Sequence, residues 1–290
     1  MTSSSYRDQL HKDGFVVIRQ ILTPTQLENL RAAAARTTEL GRTGKWPYIR
    51  TVGKQFPPWP DTPGPEGIWG VQGLMNPSLP DHKVFTELYF SEAILSIAKE
   101  LMDCSDNDLV MELFNMLVRP EKDFELVWHR DDIPPSATPE QEMERLKEPE
   151  FHTQYNLPLY DDSSLILVPG SHARPRTDAE RSADPYEKNV PGQIAVQLGP
   201  GDIAFYNNNI FHRGAYDSTK ERMSLHGSVG HAAGGKLRAR NVLQHGCGKW
   251  VDKCDFSGME AKERGRAEAM RERLVKLGRD AGDVGYSLEG

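Results

Sequence analysis

The feature that most constrains this chain is a short apolar segment, residues 125–132, which carries His129 and Asp131 two positions apart. Apolar and aromatic residues dominate the segment and a pair of prolines follows it, so the pattern predicts a strand with both polar groups on one face. A second predicted strand, residues 203–211, begins after a Pro-Gly-Asp turn and would deliver His212 at its far end. One carboxylate and two imidazoles would then lie close together.

Two histidines and one carboxylate are the ligand set of the facial triad in non-haem Fe(II) oxygenases, which leaves three coordination positions open. The His-x-Asp spacing by itself is weak evidence, because His11 and Asp13 share it on a segment with no downstream strand to offer a third ligand. For His129 and Asp131, the plain alternative is a histidine at a strand end beside a carboxylate. The sequence downstream of His212 favours the metal site.

That downstream sequence places Arg222 ten residues after His212, at the start of an apolar-alternating run, residues 223–229, that predicts another strand. Arg222 and Ser224 would share one face of it. A guanidinium beside a hydroxyl suits the distal carboxylate of a dicarboxylate, which it can bind through two parallel hydrogen bonds. The pattern therefore indicates an anion site next to the metal site.

These motifs, in this order, resemble those of the phytanoyl-CoA dioxygenase family of Fe(II)/2-oxoglutarate oxygenases. The segments that carry the resemblance are residues 13–17, the His129-x-Asp131 pair, residues 165–172, residues 201–202, and His212 followed by Arg222, so it covers roughly residues 6 to 230. It implies a mainly β fold with added helices, built on a double-stranded β-helix (jelly-roll, cupin-like) core. Many family members carry Lys before the proline at position 120, where this chain has Arg119.

The resemblance also implies the cofactors and the reaction. Fe(II) would be held by His129, Asp131 and His212, and 2-oxoglutarate would chelate it through its 1-carboxylate and 2-keto oxygens. Dioxygen would convert 2-oxoglutarate into succinate and CO2, coupled to hydroxylation, desaturation, epoxidation or rearrangement at a substrate C–H bond. Asp131 disfavours halogenation, because the related halogenases lack this carboxylate.

Two other functional classes fit parts of the pattern. A cupin-like metal enzyme such as an isomerase could use the same three ligands, but it would not use 2-oxoglutarate and would have no need for Arg222 and Ser224. A non-catalytic metal-binding protein on the same fold is the other alternative, and the intact ligand set argues against it.

Polar residues on further predicted strands are candidates for contacts with 2-oxoglutarate. Asn115 lies in the middle of a strand predicted at residues 111–119, where its amide could hydrogen-bond the 1-carboxylate, although a satisfied core Asn is the plain alternative. Gln154 lies on a strand predicted at residues 151–160, and a buried polar side chain there needs a partner. His226, on the strand after Arg222, could approach the same pocket.

The chain length suits a single domain over residues 1–290, with a core at about residues 6–230 and a helical tail at about residues 235–290. Capping boxes and apolar spacing predict helices over residues 24–40, 90–101, 139–146 and 257–278. The last of these helices would cover a sheet edge or support a homodimer.

Two segments would form the mouth of the pocket: residues 43–80, rich in Trp, Pro and Gly, and residues 134–150, which carry a charged helix. A long aromatic segment without its own pattern is typical of a functional loop, although a plain surface-packing loop is the alternative. The two segments together are acidic, whereas an acyl-CoA would require a cluster of Lys and Arg. With the aromatic content, this predicts a small uncharged or weakly polar metabolite as the substrate, such as a natural-product intermediate.

Charge and composition exclude other partners. The net charge is −7 and no basic stripe occurs, so a nucleic-acid partner is not expected. The longest apolar runs are strand-sized and no apolar segment follows the polar N-terminus, so we expect neither a membrane span nor a signal peptide. Three cysteines without a CxxC pair suit a reducing compartment. We therefore expect a cytoplasmic protein whose partners are a small-molecule substrate and O2.

Overall fold

The computed structural model describes residues 5–149, 151–235, 238, 242–243 and 247–281. The helices of this part of the chain are α1 (Tyr6–Asp13), α2 (Pro24–Arg42), α3 (His82–Tyr89), α4 (Glu92–Met102), α5 (Pro139–Leu146), α6 (Asp178–Ser182) and α7 (Ala261–Ala281). The strands are β1 (Phe15–Ile18), β2 (Ile49–Thr51), β3 (Ile68–Val71), β4 (Leu109–Val118), β5 (Phe124–Glu125), β6 (His152–Pro158), β7 (Leu165–Leu167), β8 (Ile194–Ala195), β9 (Ile203–Tyr206), β10 (His212–Tyr216) and β11 (Met223–His231).

The strands form two antiparallel sheets. The larger sheet has the order β1-β9-β6-β11-β4-β3-β2, and the smaller sheet has the order β5-β10-β7-β8. The order is non-sequential because, from β4 onward, the chain passes back and forth between the two sheets. The two sheets with their added helices confirm the predicted mainly β, jelly-roll class.

Local capping signals set the starts of the predicted helices. Thr23 accepts a hydrogen bond from the N–H of Gln26, whose side chain accepts one from the N–H of Thr23, and Thr138 and Gln141 repeat the arrangement at α5. The predicted helices at α2, α4 and α5 are confirmed to within two residues at each end. The sequence analysis missed α1, which ends at Gly14 in the left-handed conformation, with φ of 81°.

The two faces of the larger sheet have different surroundings. Leu157 on β6 and Leu225 on β11 are fully buried opposite each other, in a core that also takes in residues of α2, α4 and α7. The residues next to them, Asn156 and His226, alternate to the other face and line a cavity. The core therefore lies on the helix-covered face of the larger sheet, and the cavity lies on its inner face.

The tail helix predicted at residues 257–278 is present as α7, shifted a few residues toward the C-terminus. Ala267, Met270 and Leu274 are buried and join the main core, where the helix packs against β4. Residues 282–290 of the predicted tail lie outside the described residues, and the homodimer stays a prediction. None of the helices in the described part combines the length and the apolarity that crossing a membrane requires.

The strand predicted at residues 125–132 is wrong in extent. Only Phe124–Glu125 is a strand, and His129 instead forms an isolated bridge with His212. The reason is that residues distant in the sequence accept hydrogen bonds from backbone N–H groups that would otherwise pair with a neighbouring strand. The N–H of Val127 donates to the Gln55 side chain at 2.8 Å.

The strand predicted at residues 203–211 is also shorter than expected. It ends at Tyr206 in the larger sheet, and His212 begins a new strand in the smaller sheet. Between them the N–H of Asn209 donates to the side-chain oxygen of Asn207 at 2.7 Å, a local turn that asparagine favours. The chain crosses from one sheet to the other at this turn.

The segment at residues 43–80 is more ordered than its composition indicated. It contains β2 and β3, which pair with each other and extend the larger sheet beyond β4. Only residues 52–67, between these two strands, form the covering loop.

Candidate active site

The three predicted metal ligands, His129, Asp131 and His212, lie together. One ligand atom from each lies within 4.8 Å of the others, and no other group of three or more His, Cys, Asp or Glu side chains with this spacing occurs in the described part of the chain. Nε2 of His129 is 3.4 Å from Oδ1 of Asp131, and Nε2 of His212 is 3.8 Å from the same oxygen. The side chains converge on one point.

Backbone hydrogen bonds between two distant segments bring these ligands together. The N–H of His129 donates to the carbonyl of His212 at 3.0 Å, and the N–H of His212 donates back to the carbonyl of His129 at 3.1 Å. The N–H of Asp131 donates to the carbonyl of Asn208 at 2.9 Å. The imidazole rings consequently lie side by side, with 4.3 Å between their centroids.

The second nitrogen of each imidazole fixes its orientation. Nδ1 of His129 is 2.8 Å from the carbonyl oxygen of Val127, and Nδ1 of His212 is 2.8 Å from that of Ile210. Because a carbonyl only accepts, each ring carries its proton on Nδ1 and keeps a lone pair on Nε2. A hydrogen bond of this kind orients the histidine ligands of most metal sites.

The electrostatics of the cluster keep its donors in the protonation states that a cation needs. Burial raises the pKa of Asp131, but the contact with His129 and the nearby His212 imidazole hold that pKa well below its usual range. Burial lowers the pKa of His212 to about 4. At neutral pH the group is one carboxylate with neutral His212, and such a donor set fits a divalent metal ion.

The cluster lies in a cavity of about 520 Å³. Its wall combines aliphatic side chains with amides, arginines and aromatic rings, and the aromatic rings belong to Phe56, Trp59, Trp69, Tyr206 and Tyr216. A mostly apolar wall with a few convergent polar groups is typical of small-molecule sites. The cavity therefore combines metal-binding groups with a surface for an organic ligand.

Arg222 lies in the wall of this cavity and is 7% exposed. Its Nε donates to Oδ2 of Asp162 at 2.9 Å, and its guanidinium carbon is 4.2 Å from the centroid of the Tyr216 ring. Its Nη1 is buried and has no hydrogen-bond partner among the described residues. A buried donor without a partner is unfavourable, so this atom fits a ligand oxygen.

A family model described as phytanoyl-CoA dioxygenase (PhyH) matches residues 10–224, which is 215 of the 290 residues. The chain belongs to the phytanoyl-CoA dioxygenase family. It is therefore an Fe(II)/2-oxoglutarate-dependent dioxygenase, and His129, Asp131 and His212 are its facial triad. No curated protein sequence matches the chain.

Solved structures share the fold of this dioxygenase. AviO1 from Streptomyces viridochromogenes Tue57 has 17% identity and a TM-score of 0.54, over 78% of this chain and 93% of that one. EctD from S. alaskensis with 2-oxoglutarate and 5-hydroxyectoine has 15% identity and a TM-score of 0.56, over 80% and 79%. The epimerase SnoN in complex with Fe3+, alpha ketoglutarate and nogalamycin RO has 16% identity and a TM-score of 0.51, over 78% and 82%. At these identities the likeness shows the fold alone.

Two of the residues predicted to contact 2-oxoglutarate are not among the residues that line the cavity of the dioxygenase. Ser224 is fully buried, and its hydroxyl has no partner among the described residues. Asn115 accepts a hydrogen bond from the N–H of Gly73 at 3.0 Å, and its Nδ2 has no partner in the same part of the chain. Their cofactor contacts stay predictions.

Other polar residues of the larger sheet do line the cavity. Gln154 faces it and hydrogen-bonds Asp131, which helps to lower the pKa of that carboxyl. His226 reaches it too, with Nδ1 2.8 Å from Oδ1 of Asn156, the residue opposite on β6. Burial lowers the pKa of His226 to about 3, so the ring is neutral. Alternation along β6 and β11 indicated these positions from the sequence.

The loop at residues 52–67 covers the metal end of the cavity. Oε1 of Gln55 accepts the hydrogen bond from Val127, and its Nε2 lies 3.3 Å from Nδ1 of His129. The Phe56 ring meets the His129 imidazole edge-on, with 5.9 Å between centroids. This placement agrees with the predicted covering role of the segment, although no local pattern singled out Gln55.

The charged helix α5 contributes Arg145 to another side of the cavity. Nη2 of Arg145 is 2.6 Å from Oδ2 of Asp132, the residue after the metal ligand Asp131. Arg145 and Asp132 also line a neighbouring cavity of about 240 Å³. Arg119, by contrast, lies outside both cavities, where its Nη1 donates to the carbonyl of Ser218 at 3.1 Å.

Proposed function

We propose that this dioxygenase oxidises a C–H bond of a small metabolite with a largely apolar body, by hydroxylation, desaturation or a related reaction, and releases succinate and CO2. The observation that carries the proposal is the unpartnered Nη1 of Arg222 in the same cavity as the triad. It provides a binding group for 2-oxoglutarate beside the metal ligands.

The donor set fits the metal of this family. His129, Asp131 and His212 would hold Fe(II), which together with 2-oxoglutarate supplies the chemistry that uses O2 to oxidise the substrate. The chain contributes one negative charge to this set, because burial keeps His212 neutral and Asp131 is ionised. A single protein charge leaves a divalent metal able to accept a further anionic ligand.

Arg222 would bind the distal carboxylate of 2-oxoglutarate. Asp162 holds its Nε and the ring of Tyr216 lies against its face, so the guanidinium is already ordered before a ligand arrives. Binding then requires little further loss of side-chain freedom. The distal carboxylate would accept a charge-assisted hydrogen bond from Nη1, the atom that has no partner in the described chain.

The groups around the triad would position it and limit the access of water. Gln154 hydrogen-bonds the carboxylate of Asp131 and so holds its orientation. Gln55 and Phe56 cover His129 from the loop. Removal of water from the cavity strengthens every charged contact inside it.

The charges of the wall disfavour an acyl-CoA. Four of its arginines already have a carboxylate partner: Arg145 with Asp132, Arg213 with Glu125, Arg222 with Asp162, and Arg238 with Glu112. The phosphates of CoA would need cations that are not already neutralised. The aromatic rings of the wall suit an apolar substrate body instead.

The solved neighbours support small-molecule chemistry. One EctD structure contains 5-hydroxyectoine, and SnoN is described as an epimerase from nogalamycin biosynthesis. We extend this to the present chain as a role in the metabolism of a small natural product. The two alternatives, an isomerase without 2-oxoglutarate and a non-catalytic binding protein, do not explain the buried Nη1 of Arg222 that has no partner among the described residues, beside an intact triad.

The test has two stages. Anaerobic addition of 2-oxoglutarate to the Fe(II)-loaded enzyme should produce a weak visible charge-transfer band, and its absence would contradict the cofactor assignment. Succinate formation is then measured with acyl-CoAs and with small aromatic metabolites. We expect stimulation by members of the second group, whereas stimulation by acyl-CoAs alone would contradict the substrate class.

A further inference from the structure

A second arginine of the cavity wall, Arg50 on β2, lies between two indole rings. Its guanidinium carbon lies 5.0 Å from the ring centroid of Trp59 and 5.1 Å from that of Trp69. The residue is 8% exposed, and its Nε is buried without a hydrogen-bond partner among the described residues. No carboxylate in that part of the chain forms an ion pair with it.

The contrast with the other arginines of the wall is what points to a ligand. Each of the four named above forms an ion pair with a carboxylate, whereas Arg50 forms none with the described residues. Burial lowers the pKa of Arg50 to about 10, so the group still carries its charge at neutral pH. A buried charge without an ion-pair partner is unfavourable, and the two indole faces and the more distant Asp131 carboxylate compensate for it only in part.

The fold makes room for this arginine. Arg50 lies opposite Gly70 in the register of β2 and β3. A Cβ on Gly70 would lie 3.1 Å from Cδ of Arg50 and 3.3 Å from the backbone oxygen of Met116, closer than most real contacts. The absence of a side chain at Gly70 allows the stem of Arg50 to lie across β3 and its head to reach the cavity.

We infer that Arg50 binds a carboxylate of the oxidised substrate, so that the substrate is a small carboxylic acid with an apolar or aromatic body. The inference rests on the proposed function, in which Arg222 takes the distal carboxylate of 2-oxoglutarate and Arg50 remains for the substrate. It modifies the substrate expected from the sequence, because one end of the molecule is charged.

The chemistry of the site favours a carboxylate over a phosphate. A guanidinium offers two parallel N–H donors that match the two oxygens of a carboxylate, and one positive charge balances one negative charge. A phosphate monoester carries more negative charge than Arg50 can balance, and the neighbouring arginines are already paired. The flanking Trp59 and Trp69 rings would contact the apolar part of the same molecule.

The test uses the enzyme loaded with Fe(II) and 2-oxoglutarate under anaerobic conditions, where no turnover occurs. The probes are 3-phenylpropanoate, indole-3-acetate and cinnamate, each compared with its methyl ester, and phenyl phosphate. Calorimetry gives the affinity of each probe, and the charge-transfer band reports whether 2-oxoglutarate stays bound. We expect at least one acid to bind about 10- to 100-fold more tightly than its ester, with the band retained.

Three variants assign the effect to Arg50. Arg50→Met should remove the preference for the acid while 2-oxoglutarate binds as in the wild type, and Arg50→Lys should keep part of it. Arg119→Met, which removes an arginine outside the cavity, should leave the preference unchanged. Arg50→Met also removes an unpaired buried charge, so it is not expected to unfold the protein.

Several results would overturn the inference. Equal affinity for acids and esters, including no binding of either at millimolar concentration, contradicts a carboxylate site. Loss of 2-oxoglutarate binding in Arg50→Met would make Arg50 a cofactor residue, and tighter binding of phenyl phosphate than of any acid would contradict the choice of carboxylate. A wild-type enzyme without the charge-transfer band would instead contradict the proposed function, and that band is recorded before any probe is added.

Discussion

The two sheets of this dioxygenase differ in regularity and in what they contribute. The larger sheet contains strands as long as ten residues, whose side chains alternate between a helix-covered core and the cavity. The strands of the smaller sheet have two to five residues, and His129 and His212 lie at an isolated bridge and at a strand end. Long regular pairing supplies stability, whereas interrupted pairing lets distant groups fix the direction of individual side chains.

The largest effect is expected from removing a metal ligand of the smaller sheet. His212→Ala should abolish stoichiometric Fe(II) binding and succinate formation, because two donors cannot replace the three-ligand set. Metal analysis and a succinate assay measure the two losses. Wild-type iron content and activity in this variant would contradict the triad.

A matched substitution in the larger sheet should lower stability and leave metal binding unchanged. Leu157→Ala removes a fully buried side chain from the main core and should lower the free energy of unfolding by about 2–5 kcal/mol. Iron stoichiometry at a temperature where the variant is folded should stay at the wild-type value. Denaturant unfolding measures the loss of stability, and metal analysis of the same sample measures the iron content. Loss of iron from the folded variant would show that packing in the larger sheet also determines metal binding.

Arg222 lies just before β11, so it tests whether the larger sheet also contributes to ligand binding. Arg222→Ala removes a charge-assisted contact of about 1.5–3 kcal/mol and should raise the KM for 2-oxoglutarate by about one to two decades. Steady-state kinetics with varied 2-oxoglutarate measure this. An unchanged KM would remove Arg222 from the cofactor site, and Arg119→Ala serves as the control outside the cavity.

The effect that is smallest per pH unit concerns His226, a titratable group on the larger sheet. Its pKa is about 3 in the folded protein and about 6.5 in the unfolded chain, so between these values the unfolded state binds a proton that the folded state does not. Stability should therefore fall as the pH falls through this window, by at most about 1.4 kcal/mol per pH unit from this residue.

Urea unfolding of the apoprotein at several pH values tests the sign. His226→Phe should flatten the dependence, although His152 and His212 also have lowered pKa values and will keep part of it. His11→Gln, an exposed position on α1, is the control. A dependence that remains unchanged in His226→Phe would contradict a neutral buried imidazole.

The sequence predicted the parts of this molecule that local chemistry determines. The capping pair at Thr23 and Gln26 predicted α2, and alternation predicted β11 with His226 on its cavity face. The three metal ligands were identified from the His129-x-Asp131 spacing, the later His212 and the Arg222 that follows it by ten residues. Family resemblance supplied the jelly-roll class, which the family match confirms.

The rest depended on contacts between residues far apart in the chain. The Gln55 side chain takes the N–H of Val127, and this interrupts a strand that its own sequence favours. In the sequence, Arg50 resembles any surface charge in an irregular segment. Its burial between two indole rings, without a carboxylate in an ion pair among the described residues, depends on the pairing of β2 with β3 and so could not be predicted. Ser224 shows the reverse, since its spacing from Arg222 was suggestive but it is not among the residues that line the cavity.

The reciprocal backbone hydrogen bonds between His129 and His212 have a consequence for how the enzyme acquires its metal. Both bonds form between main-chain groups, so the polypeptide alone fixes the separation of the two imidazoles. In small zinc domains, by contrast, metal binding and folding are a single event. Here backbone hydrogen bonds of the chain itself bring the two histidines together. We therefore expect amide hydrogen exchange at these two residues to be equally slow with and without iron, and metal uptake to release almost no heat of folding.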